Sequence, residues 1–143
     1  MNKMIAMNAT DVRKEWSAVV DSVIREKPKF IKRTRDYLFL SDLKVIETML
    51  EAYKFTADEY IEDDGSVTLS LVEIDLVDNG KTKEEAIHNL ADYILNYAED
   101  YYEEFNFWAK GERVLHIPYI LKALLLNDVK KIGELITCRP GEI

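Results

Sequence analysis

The stretch "SVTLSLVEIDLVDNGKTKEEAIHNL", residues 66–90, decides how the chain folds. Val67, Leu69 and Leu71 are apolar at odd positions, the period of a half-buried strand. Val72, Ile74 and Leu76 continue the alternation at even positions. A strand cannot change phase while it stays regular, so a bulge or a break is expected near Leu71–Val72. Asp78-Asn79-Gly80 has turn composition. Thr82 with Glu85 three residues later is a capping box, and it opens a long helix. Ile87, Leu90, Ala91, Ile94, Ala98, Tyr101 and Phe105 then recur at helical spacing and form its core stripe. His88 falls one residue off that stripe, on the helix surface.

"FTADEYI" (55–61), just before that stretch, has strand composition, and "EDDG" is a turn in which Gly65 supplies a permissive backbone. Gly111 ends the region of the long helix. "HIPYILKALLL" (116–126) is a buried helix, and "DVKKIGELI" (128–136) is a short one capped by Asn127 or Asp128. Before residue 55 the pattern differs. A short apolar strand, Met4–Met7, leads to Asn8 or Thr10 as N-cap and Asp11 in the first turn. One helix follows, with Val12, Trp16, Val19, Val20 and Val23 on a single stripe and Pro28 as its stop. "KFIKR" and "YLFL" form a hairpin around Thr34-Arg35-Asp36. Ser41 then caps a helix carrying Leu43, Ile46, Leu50 and Tyr53 on one side. The expected fold class is α+β: a β-α-β-β-α module over residues 1–54, then an antiparallel sheet with helices packed on it over 55–143.

Charge divides the chain near the same point. The 143 residues carry a net charge of -8. Residues 1–54 hold 11 Lys+Arg and 8 Asp+Glu, a net of +3, whereas residues 55–143 hold 8 and 19, a net of -11. "KPKFIKRTRDYLFL" (27–40) concentrates five bases, Lys27, Lys29, Lys32, Arg33 and Arg35, against Asp36 alone. Such asymmetry suits a basic module for a polyanion and an acidic module for another partner. No apolar run approaches the roughly 18 residues of a membrane span, and the start lacks the apolar core of a signal peptide. Cys138 is the one cysteine, which excludes a disulfide framework and suits a reducing, cytoplasmic setting. Two modules of this size are each marginal alone, so oligomers are expected.

The acids and potential nucleophiles give little chemistry. Asp63, Asp64, Glu73, Asp75 and Asp78 lack the convergence that a two-metal site requires. His116 and Cys138 lack a third group to orient them. No enzyme activity, cofactor or metal is expected. "YAEDYYEEFNFW" (97–108) interleaves aromatics with acids; Tyr97, Phe107 and Trp108 are either a partner surface or simple packing.

The order of the first module, with Arg13 early in its helix, Ile31-Lys32-Arg33 in a strand and Ser41 after the second, resembles the N-terminal domain of the Phd/YefM antitoxins. Thr34-Arg35-Asp36 stands where that family usually has a glycine. The resemblance implies a homodimer, or a dimer of dimers, that binds its own operator DNA and represses transcription. Carried over residue by residue, it places Asn8, Thr10 and Arg13 at the helix start and Arg33 and Arg35 at the hairpin on DNA, with Lys14 and Lys32 on phosphate. Arginine can fork onto guanine or phosphate.

In the second module, Gly80, Thr82, Glu84, Glu85, Ala86 and Leu90 match the "G-x-T-x-E-E-A-x-x-x-L" of the HicB antitoxin domain. The proline-rich loop usual in that family is replaced by "EIDLVDN", and the DNA reader precedes the domain instead of following it. The two resemblances together imply an antitoxin whose acidic domain neutralises a toxin. The alternative is a toxin-independent transcriptional regulator or assembly adaptor.

Overall fold

A computed structural model describes residues 5–142. The chain divides into two compact units, Met1–Met49 and Leu50–Ile143. The division falls in the last turn of a helix, a few residues before the change of charge and strand pattern in the sequence.

The first unit runs β1 (Met7–Asn8), α1 (Ala9–Lys14), α2 (Trp16–Arg25), β2 (Lys29–Arg33), β3 (Asp36–Leu40) and α3 (Leu43–Leu50). Met4, placed in the first strand from sequence, lies outside the described residues. The single helix expected after β1 is two. Glu15 leaves helical geometry at φ -116° and ψ 33°, so Trp16 opens a new helix and is 53% exposed rather than in the stripe. Val12 of α1 and Val19 and Val23 of α2 still meet, and they close on Ile31 of β2. The sheet order is β1-β2-β3, with β1 parallel and β3 antiparallel to β2. The hairpin turn is shorter than its sequence suggests. Asp36 already pairs with Arg33, and Thr34 takes φ +57° to close the turn. The cap of α3 is Asp42, not Ser41: Asp42 Oδ1 accepts the Lys44 N–H at 3.0 Å, while the Ser41 hydroxyl bonds the Asp42 carbonyl. Of the residues expected along one side of this helix, Leu50 is buried, Leu43 is exposed, and Tyr53 lies beyond the helix end.

The second unit runs β4 (Phe55–Ile61), β5 (Val67–Leu71), β6 (Val77–Gly80), α4 (Lys83–Glu103), α5 (Phe105–Trp108), a 3-10 turn (Gly111–His116), α6 (Ile117–Leu126), α7 (Val129–Leu135) and β7 (Ile136–Pro140). The phase change near Leu71–Val72 is a break: β5 stops at Leu71, and the Leu71 N–H bonds Leu76 O at 2.8 Å as the chain doubles back. Asp78-Asn79-Gly80 is therefore strand, not turn, and Gly80 pairs with Val67. What Gly80 supplies is room. A Cβ there would stand 2.3 Å from the Ala86 backbone nitrogen, so only glycine lets α4 start against β6. Gly65 does serve its turn, with φ +84°.

The strand order is β6-β5-β4-β7. Ile136–Pro140, of which sequence patterning places Ile136 in the last helix and leaves the rest unassigned, adds a strand parallel to β4, so the sheet is mixed rather than antiparallel. The caps follow the sequence. Thr82 Oγ1 accepts the Glu85 N–H and Asp128 Oδ1 accepts the Lys131 N–H. Phe55, Leu69, Leu90, Ile94, Tyr101, Ile120 and Ile132 are fully buried between sheet and helices. Burying such an aliphatic or aromatic side chain is worth about 1.5–3 kcal/mol. No helix among the described residues is long and apolar enough to cross a membrane.

Candidate nucleic-acid and partner interfaces

Strand register sets which residues share the open face of the first unit's sheet. The parallel β1–β2 pairing sets Asn8 opposite Lys32, and the β2–β3 hairpin sets Lys32 opposite Tyr37 and Phe30 opposite Phe39. Paired residues of neighbouring strands project to the same side, and successive residues alternate. Asn8, Phe30, Lys32, Tyr37 and Phe39 thus share the sheet face opposite Ile31. That face is open: Phe30, Tyr37 and Phe39 are 43%, 50% and 45% exposed. The Lys32 ammonium lies 5.7 Å from the Tyr37 ring centre, and the tilted rings of Phe30 and Phe39 have centres 5.1 Å apart.

Arg33 projects to the other side, at the hairpin end. Its guanidinium is 3.9 Å from the Asp36 carboxylate, both side chains largely in water. An exposed pair of this kind is worth little and leaves the arginine free for a stronger anion. Arg35 is exposed in the turn itself. Asn8 occupies the N-cap position of α1 in an extended conformation, yet its amide caps nothing. Thr10, Arg13 and Lys14 follow at spacings of three and four, on the side of α1 away from buried Val12. The fold therefore brings Asn8 to Lys32 directly, holds Thr10, Arg13 and Lys14 on the adjoining helix, and sets Arg33 and Arg35 at the hairpin tip. Sequence reasoning does not single out Phe30, Tyr37 and Phe39 as part of this open face; their strand alternation with Lys32 is the signal that could have found them.

In the second unit, two of the three aromatics weighed as a partner surface are packing residues. Tyr97 and Trp108 are half-buried against the core. The Tyr97 ring meets Tyr101, Trp108 and His116 edge-on, and its hydroxyl is 2.9 Å from His116 Nδ1. Burial raises the Tyr97 hydroxyl's pKa and lowers that of the His116 imidazole. Phe107 is exposed at 56%, and it is joined by Tyr102 at 64% and Phe105 at 37%. Tyr102 lies one residue past the core position of Tyr101, which in sequence is the sign that it faces out.

Three of the five acids weighed as metal ligands bond the backbone. Glu73 accepts the Thr56 N–H, Asp64 the Ser66 N–H and Asp78 the Asn79 N–H. Hydrogen bonds from Ser66 hold the Asp64 carboxyl below its usual pKa. Among the described residues no three His, Cys, Asp or Glu side chains are grouped to hold a metal ion. Burial pushes the Cys138 thiol up, away from the reactive thiolate, against a smaller opposing pull from Lys83.

The architecture has a close counterpart. A crystal structure from Syntrophomonas wolfei subsp. wolfei, described as the antitoxin part of a proposed toxin/antitoxin system, is 34% identical with a TM-score of 0.89; the match covers 96% of this chain and 99% of that one. No curated protein matches. The family model PHD_like, described as "Antitoxin of toxin-antitoxin, RelE / RelB, TA system", matches residues 3–138. The chain belongs to this antitoxin family, and membership implies a cognate toxin.

Proposed function

We propose that this antitoxin binds its own operator DNA through the first unit, represses its transcription, and neutralises its toxin through the acidic second unit. Asn8, Thr10, Arg13, Lys14, Lys32, Arg33 and Arg35 contact DNA. The second unit recognises protein and performs no catalysis, and both activities take place in the cytoplasm. In this reading the first unit is Phd/YefM-like and the second HicB-like.

The observation that carries the proposal is the coincidence of charge with the structural division. Met1–Met49 holds 10 Lys+Arg against 7 Asp+Glu, and Leu50–Ile143 holds 9 against 20. Every residue named for DNA is exposed. A basic surface binds polyphosphate by releasing counterions, and an acidic one speeds encounter with a basic toxin.

The first unit acts as a homodimer. Among the described residues its buried core is Val12, Val19, Val23 and Ile31, while Leu38, Leu43 and Met49, none of them on the sheet face of Asn8 and Lys32, are exposed. So small a core is not self-sufficient, and two-fold pairing over this apolar surface matches a palindromic operator. The test uses one variant and two readouts. Arg13→Ala/Arg33→Ala/Arg35→Ala should derepress a reporter driven by the native promoter while still protecting cells that make the toxin. Retained repression, or lost protection at equal protein level, contradicts the proposal.

A further inference from the structure

The C-terminal end of α4 is built against its own stability. From Glu84 to Ala109 the chain has seven Asp or Glu and no Lys or Arg. Glu99, Asp100 and Glu103 crowd the last turns of α4, Glu104 is the C-cap, and no base lies in the final turn. Carboxylates at this end oppose the helix dipole. Glu99 with Glu103, and Asp100 with Glu104, are like-charge neighbours four residues apart, which costs a helix further. The ion pairs among the described residues, Arg33–Asp36, Lys83–Glu59 and Arg139–Asp58, leave all four carboxylates unneutralised. Beside them α5 turns the chain so that Tyr102, Phe105 and Phe107 line a shallow groove with Glu103 and Glu104. The chain itself shows what these rings accept. The Arg113 guanidinium lies 5.4 Å from the centre of Phe107 and 5.0 Å from that of Trp108, and still leaves Phe107 mostly exposed.

We infer that the end of α4 and α5 form the docking site for a basic, amphipathic segment of the toxin. The segment's Lys and Arg side chains neutralise Glu99, Glu103 and Glu104, and its apolar side chains cover Tyr102, Phe105 and Phe107. The inference rests on the reading of the second unit as the toxin-binding one, and narrows it to one surface. Charge complementarity selects the occupant. A neutral apolar partner would bury these carboxylates unpaired, whereas a cationic one relieves the repulsion that the free helix carries.

The experiment uses the full chain and a labelled peptide of alternating Arg and Leu, with the product of the neighbouring gene as competitor. Wild type should bind the peptide, more weakly as salt rises, and the gene product should displace it. Glu99→Gln/Glu103→Gln/Glu104→Gln should bind both ligands at least about tenfold more weakly, since the charge pairs are lost. Its melting temperature should match or exceed wild type, because the repulsion is gone; a merely structural role predicts a lower one. Glu62→Gln/Asp63→Asn, in the exposed β4–β5 turn, should bind as wild type. Equal binding by the α4 variant overturns the inference, as does a gene product that binds without displacing peptide; both leave the acidic unit's role standing. A gene product that does not bind wild type overturns that role and the inference with it.

Discussion

Asn8 stands directly opposite Lys32 across the parallel β1–β2 pair. This one register joins the start of the first helix to the basic strand, segments more than twenty residues apart in the chain. The Asn8 amide is left without a capping bond, and Lys32 is held near the Tyr37 ring, so both are presented outward. Lys32→Ala should weaken DNA binding about equally for operator and unrelated sequences. It should reduce the steepness of log affinity against log salt by about 0.9, the amount that one neutralised phosphate supplies. Fluorescence anisotropy over a salt series checks this; an unchanged slope places Lys32 off the DNA.

Thr34 closes the hairpin at φ +57°, a left-handed conformation costly for a β-branched residue. Thr34→Gly should stabilise the protein by about 1 kcal/mol, the lower end of the usual strain cost, since glycine's extra freedom when unfolded offsets part of the gain. Urea denaturation measures it. A loss of stability would show that Thr34 makes a compensating interaction.

Gly80 permits α4 to begin against β6. The added methyl of Gly80→Ala would lie 2.3 Å and 2.7 Å from the backbone atoms Ala86 N and Glu85 C. Backbone cannot yield as a flexible side chain can. The substitution should cost about 3 kcal/mol or more, the upper range of overpacking, or abolish folding of the second unit. A variant melting within a few degrees of wild type would contradict the close approach.

His116 should make stability depend on pH. Burial, with a smaller push from Arg113, lowers its pKa, and Asp75 opposes the shift. Its unfolded pKa is about 6.5, so the unfolded state binds the proton first as pH falls. Its contribution is complete above that value and is lost as pH drops through the lowered folded pKa. His116→Gln should flatten the fall in melting temperature between about pH 7 and pH 5. A fall as steep as wild type would assign the dependence to other groups.

Local signals in the sequence carried well. Thr82 with Glu85, and Asp128, cap the helices they precede, because a cap involves residues three apart. The phase change at Leu71–Val72 showed that the strand must break there. That the break is a hairpin depends on Val77–Gly80 pairing with Val67–Ser70, and the turn composition of Asp78-Asn79-Gly80 argued the other way. β7 was illegible for a stronger reason: its partner β4 is about eighty residues away, and a parallel edge strand ending in Pro140 has no pattern of its own. At the candidate sites, charge located the exposed bases. Aromatic residue types could not separate Tyr97 and Trp108, which pack, from Tyr102 and Phe105, which face water.

We propose above that the exposed bases of the first unit hold operator DNA. The most direct test of this is a gel-shift titration over the native promoter, comparing wild type with Arg13→Ala/Arg33→Ala/Arg35→Ala. All three side chains are exposed, so the variant should keep the wild-type circular dichroism spectrum. Wild type should give a discrete promoter complex that weakens steeply with salt, and the variant none at the same concentrations. A folded variant that shifts the promoter as wild type does would contradict it.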